Sequence, residues 1–238
     1  MVLRAVPLGH PGSALPAGVS TPGELERAAA FADPLARHRF LAGRLALRAH
    51  VAELLGVPPG LVIPTYTCPD CGPGEHGVPG FALTASGSVT ATARGIRAAH
   101  DGERPLPLPV AASMSRAGGW VLLAAELPSD EGGAGVGDAP IRRRARLGVD
   151  LARIADLRDA IPDAAFSAAE RRRVYAADDP AAEAATLWAR KEALLKALGT
   201  GLRGDPSAVE TVGDPRVSDL DPGRCGLPAG FAAAIARA

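Results

Sequence analysis

The stretch over 180–198 reads as a helix with apolar positions around most of its circumference. At 100° per residue, Leu187, Leu194 and Leu198 share one direction, with Trp188 and Leu195 beside them. Ala189, Ala193 and Ala197 line another side. Asp179 suits the N-cap, Pro180 the first helical position, and Gly199 and Gly201 the C-terminal stop. So little of the circumference is left for water that this helix is expected to be buried on most sides. Yet it holds Lys191, Glu192 and Lys196, and Lys191 falls inside the leucine arc. Such charges are costly unless they are paired or used. Glu192 and Lys196 also stand in the i, i+4 order of an ordinary surface pair, and Lys191 could snorkel. The helix alone leaves these readings open.

The same periodicity predicts helices over 24–31 and 34–56, the second burying Phe40, Leu47, Val51 and Leu54. Arg37, Arg44 and Arg48 lie near one another on a different side, as a solvated face or a phosphate-binding patch. Short strands are expected near 80–110, then at 110–115 and 120–125. The Gly-rich, acidic stretch after Leu127 reads as a linker, ending in Arg142, Arg143, Arg144 and Arg146. Leu147–Ile154 reads as a buried strand with Asp150 within it, either turning into a loop or ligating a metal. Ser167 and Glu170 have capping-box spacing and open another helix, which accounts for Glu170 without any catalytic role. Beyond Gly201, strands are expected at 209–212, 216–220 and 230–236. This order predicts an α+β protein of two similar halves, 1–126 and 146–238, joined by a linker over 127–145.

Composition narrows the picture. Apolar residues make up 47%, which predicts a folded globular chain. Lys+Arg and Asp+Glu are both 26, so no global charge argues for a nucleic-acid partner. Lysine occurs only at 191 and 196, every other strong base being arginine, so the two amines that can donate a proton share one helix. Three cysteines make no disulfide framework, and neither a signal peptide nor a membrane span is visible, so a cytoplasmic protein is expected. Cys68 and Cys71 with His76 suggest zinc, but a structural site needs four ligands and no second pair follows. A plain loop is expected there.

Taken together, Gly148-Val149-Asp150, Phe166-Ser167-x-x-Glu170 and Trp188-x-x-Lys191-Glu192-Ala193-x-x-Lys196 resemble the 4′-phosphopantetheinyl transferases. The helix from Arg39 through Gly43-Arg44 to Arg48, the loop from Cys68 to His76-Gly77-x-Pro79, and Ser113-Met114-Ser115 are similar to earlier motifs of the two-half, Sfp-like subgroup. The resemblance implies two α/β halves with the active site in the cleft between them. It implies transfer of phosphopantetheine from coenzyme A to a serine of an acyl or peptidyl carrier protein, with Mg²⁺ held by Asp150 and Glu192. Glu192 would be the base, Lys196 would act on the departing 3′,5′-ADP, and Lys191 would contact phosphate or hold the carboxylates. Arg39 and Arg44 would take the 3′-phosphate, His76 and Pro79 would face the adenine, and Ser113 would contact coenzyme A. A monomer is expected. Three positions depart from the subgroup's pattern: Ala152 replaces a second acid, Met114 a histidine, and Val78 a lysine. They motivate an alternative, a weakened homologue that binds coenzyme A or a carrier protein without efficient transfer.

Overall fold

The computed structural model describes residues 1–68, 70–74, 77–84, 105–127, 146–201 and 204–238. Its order is β1 (Val2–Pro7), α1 (Pro22–Ala29), α2 (Pro34–Leu55), β2 (Val62–Cys68), β3 (Gly72–Gly74), β4 (Val78–Leu83), β5 (Leu106–Pro107), β6 (Ala111–Ala117) and β7 (Trp120–Glu126). There follow β8 (Leu147–Arg153), α3 (Ala168–Ala176), α4 (Pro180–Leu198), β9 (Val217–Leu220), α5 (Pro222–Cys225) and β10 (Phe231–Arg237). The fold is mixed α+β with three sheets, in the orders β1-β7-β6, β3-β2-β4-β5 and β8-β10-β9. The linker expected over 127–145 falls outside the described residues, apart from Leu127. No helix among the described residues is long and apolar enough to cross a membrane.

Chain contacts define two compact units. The first is built mainly from the described part of Gly9–Ala112. In it, α1 opens with a capping box: the Thr21 hydroxyl accepts from the Glu24 amide, and Glu24 accepts from the Thr21 amide. Asp33 caps α2, and Gly56 ends it in the left-handed region. Phe40, Leu47 and Val51 are buried as expected, but Leu55 takes the place expected of Leu54. Arg48 is neither solvated nor a ligand for phosphate. It is 1% exposed and paired with Glu24, which also accepts from the Tyr66 hydroxyl at 2.9 Å. The stretch expected as a plain loop from Cys68 to Pro79 instead contributes strands. Cys68 pairs with Gly72 across a tight hairpin, and Tyr66 faces Gly74 on one side and Pro79 on the other. Glycine and proline obscured the period-two signal there, although backbone pairing still satisfies the chain.

The second unit comprises Leu3–Leu8, Ser113–Ala124 and Arg146–Ala238. Helix α4 has the predicted ends, Asp179 accepting from the Ala182 amide and Gly199 at φ +73°. Ala185, Ala189, Ala193 and Ala197 pack in one cluster with Ala152, Val217, Ala232, Ala234 and Ala236. Leu187 joins Phe166, Val174 and Ala184 in another, with Trp188 against both. The approach of α4 to β8 is very close at Gly148, where an added Cβ would lie 1.9 Å from the Ala193 carbonyl oxygen. β10 is central, antiparallel to β8 on one side and β9 on the other, with Asp150 opposite Ala234. That position buries all but its last residue.

One expectation fails here, and one element was unforeseen. No strand forms over 209–212, because its polar groups are taken by side chains: Lys191 donates to the carbonyls of Pro206 and Val209, and the Thr211 amide donates to Glu170. The short helix α5, capped by Asp221 and ended by Gly226, was not expected, since four residues give no periodicity to read.

Candidate active site

Asp150 sits within β8 with 4% exposure. A carboxylate so buried requires compensation, and two side chains provide it. Lys196 donates to its Oδ1 at 2.6 Å, and Ser115 of β6 donates to the same oxygen at 2.5 Å. Lys196 also reaches the Val149 carbonyl at 3.3 Å. Ser113, two residues before Ser115 and therefore on the same face of its strand, accepts from the Val149 amide at 3.0 Å. Side chains of β6 thus fasten β8 where the acid emerges.

Glu192 precedes Lys196 by one helical turn, so both face β8. Burial pushes the Asp150 carboxyl up, while the charge of Lys196 and hydrogen bonds from Lys196 and Ser115 pull it down. Burial pushes Glu192 up as well; the positive charge of Lys196 opposes this and the negative charge of Asp150 adds to it. Both acids line a cleft of about 240 Å³. Ser115, Asp150 and Glu192 line it beside Arg116, Arg153 and Trp188. Ala152, the position that departs from the two-acid pattern, is also on its wall.

Residues 146–220 match the 4′-phosphopantetheinyl transferase superfamily. The matched stretch includes β8, α3, α4 and β9, and with them Asp150, Glu170, Lys191, Glu192 and Lys196. No curated protein matches the chain. A phosphopantetheinyl transferase domain implies a transferase that uses coenzyme A and a carrier protein, and Mg²⁺ is the ion such domains typically use. Among the described residues, no cluster of three or more His, Cys, Asp or Glu side chains forms a metal site. The donor set nevertheless suits magnesium, which takes carboxylate oxygens and keeps several waters.

The remaining predicted site residues are distributed otherwise. Lys191 is fully buried and pairs with Glu170 at 2.6 Å, apart from the cleft lining. In the first unit Arg44 stacks over Tyr66 and Phe40, 4.8 and 5.5 Å from the ring centroids, with its Nε buried and unbonded. Arg39 is half-buried on the same helix, and Pro79 stands in β4 opposite Tyr66. His76 lies outside the described residues. Sequence reasoning passed over Ser115, Arg116 and Arg153 as lining groups. The Ser113-x-Ser115 alternation was the one available signal, since period two places both hydroxyls on one face.

Proposed function

We propose that this protein transfers 4′-phosphopantetheine from coenzyme A to a serine of an acyl or peptidyl carrier protein. The observation that carries the reading is the meeting of Asp150 and Glu192 on one cleft, with Lys196 bonded to Asp150, inside the stretch matched to the superfamily. The two-half, Sfp-like form of the fold belongs to the same proposal. The recurrence of a capping-box glutamate that binds a cation of the following helix, Glu24 with Arg48 and Glu170 with Lys191, supports it.

Asp150 and Glu192 would hold Mg²⁺, which when bound neutralises charge on the phosphoryl oxygens. Glu192 accepts the serine proton as the serine oxygen bonds to the β-phosphorus of coenzyme A. The bond from that phosphorus to the bridging oxygen breaks, and 3′,5′-ADP leaves with its electron pair. Lys196 supplies positive charge beside the departing phosphate. Its hydrogen bond to Asp150 holds it beside that carboxylate in the free protein. Ser115 orients Asp150, and Ser113 holds β8 while contributing to the coenzyme A site. Arg39, Arg44, His76 and Pro79 are proposed for the nucleotide portion, with Arg39 and Arg44 on the 3′-phosphate.

Incubation with apo-carrier protein, coenzyme A and Mg²⁺, followed by mass spectrometry of the carrier, tests the reading. A phosphopantetheine adduct is expected, and its absence across several carriers would refute transfer. Ala152 on the cleft wall favours one second reading, a weakened homologue. It predicts coenzyme A binding by calorimetry without an adduct.

A further inference from the structure

Lys191 was expected among the reacting groups, yet its three donors are all spent elsewhere. They go to Glu170, the Pro206 carbonyl and the Val209 carbonyl. Glu170 is equally saturated: it accepts from the Ser167 amide at 2.9 Å and from the Thr211 hydroxyl at 3.2 Å. Both members of the pair are 0% exposed. A group so enclosed cannot meet a phosphate without unfolding its surroundings.

We propose that Glu170 and Lys191 form a positioning pair that fixes the rotation of α4 about its axis, and with it the aim of Glu192 and Lys196. The proposal rests on the transferase reading above. Its physical basis is the nature of the α4 contact face. Ala189, Ala193 and Ala197 give a smooth surface against β8 and β10, and apolar contact is non-directional. Such a face sets the distance of approach but resists rotation weakly, whereas a saturated buried ion pair tolerates only one setting. A rotation of about 20° moves a side-chain tip at the helix's outer radius of roughly 5–6 Å by about 2 Å. Misplacement by about 1 Å can cost about 10²-fold in rate.

The first unit carries the same device without the chemistry. Glu24 closes the α1 capping box, receives Arg48 of α2 in burial, and accepts from the Tyr66 hydroxyl, as Glu170 does with Lys191 and the Thr211 hydroxyl. The residue after Arg48 is Ala49, where Glu192 follows Lys191. A pair present where no acid follows is a helix lock, to which the second unit adds a reacting group.

The test compares wild type with Glu170→Gln/Lys191→Met, Lys191→Arg and Thr211→Val under conditions where circular dichroism shows each fully folded. The double variant is expected to lose about 10²-fold in kcat with the KM for coenzyme A nearly unchanged, and Lys191→Arg to retain more activity than the double variant. Thr211→Val, which leaves the ion pair intact, is expected to lose about fivefold in kcat. Wild-type kcat in a folded double variant would overturn the proposal. If that variant does not fold, wild-type kcat in Thr211→Val does so. Hydrogen exchange separates this proposal from the transferase reading. If wild type loads no carrier, that reading fails, while faster exchange in α4 and at 209–211 of the variants still supports the lock. Unchanged exchange overturns the lock.

Discussion

Replacing Gly148 by alanine is expected to push α4 away from β8 and to disable the site without touching a reacting group. The added Cβ would lie 1.9 Å from the Ala193 carbonyl oxygen and 2.7 Å from the Ala197 amide nitrogen. Ordinary contact begins near 3.4 Å, so the helix must retreat by about 1.5 Å at this point. Both obstacles are backbone atoms, and no rotamer change can relieve them. Overpacking of this kind costs about 1–3 kcal/mol and occasionally more. The upper value fits here, because the whole helix has to move. In a chain of this length about 3 kcal/mol lowers Tm by roughly 6–12 °C. Glu192 and Lys196 ride on the displaced helix while Asp150 stays on β8, so a shift above 1 Å is expected to cost about 10²-fold in transfer. Thermal unfolding and the carrier-loading assay measure the two effects. Ala193→Gly in the same chain should rescue neither, since it removes a side chain and leaves the carbonyl. A Gly148→Ala protein with unchanged Tm and unchanged transfer, or rescue by Ala193→Gly, would refute the reasoning.

Other changes test separate links. Glu192→Gln and Asp150→Ala are each expected to abolish transfer while circular dichroism shows a folded chain; a normal rate in either removes the assignment of the carboxylates. Ser115→Ala removes a donor from Asp150 and is expected to slow transfer by about tenfold, the worth of a charge-assisted hydrogen bond, read as kcat in the loading assay. Arg48→Met leaves the Glu24 carboxylate buried and unpaired, and chemical denaturation should show a loss of about 3–5 kcal/mol. The Glu24 pair also makes stability depend on pH. Burial pushes the Glu24 carboxyl up, but Arg48, the Thr21 amide and the Tyr66 hydroxyl together hold it below its ordinary value of 4.5. The unfolded chain therefore takes up the proton first as pH falls. The contribution is complete above the ordinary value and is lost on acidification through the lower, folded one. Glu24→Gln should lose less stability than wild type on acidification from pH 5, and an equal loss would argue against the pair.

The sequence was most readable where caps and apolar period agreed. Helix α4 has both predicted ends, and the apolar face of α2 differs from expectation only in exchanging Leu54 for Leu55. The strand reading left Asp150 either turning into a loop or ligating a metal; in the structure it is buried within β8 and paired with Lys196. Long-range partners of polar groups were hidden. Nothing local marks Glu170 as more than a cap, because its second role depends on Lys191, a full helix away in the chain. The same coupling defeated the strand expected at 209–212, whose β-branched residues suited a sheet but whose polar groups were taken by Lys191 and Glu170. Arg48 misled in the opposite direction, since an arginine among arginines looks solvated until its buried acid is found.

The order β8-β10-β9 has a consequence for anyone cutting this chain. The strand farthest along the sequence is the middle strand of its sheet, so neither β8 nor β9 has its neighbour until β10 is present. The superfamily match ends at residue 220, before β10 begins at Phe231. An excised 146–220 piece would expose the full edge of the strand that holds Asp150, a template for pairing with other copies. It would also lack Ser113 and Ser115, which come from β6. Such a fragment is expected to aggregate on expression. The smallest piece that can assemble the cleft is discontinuous, drawing on β6 as well as on residues 146–238.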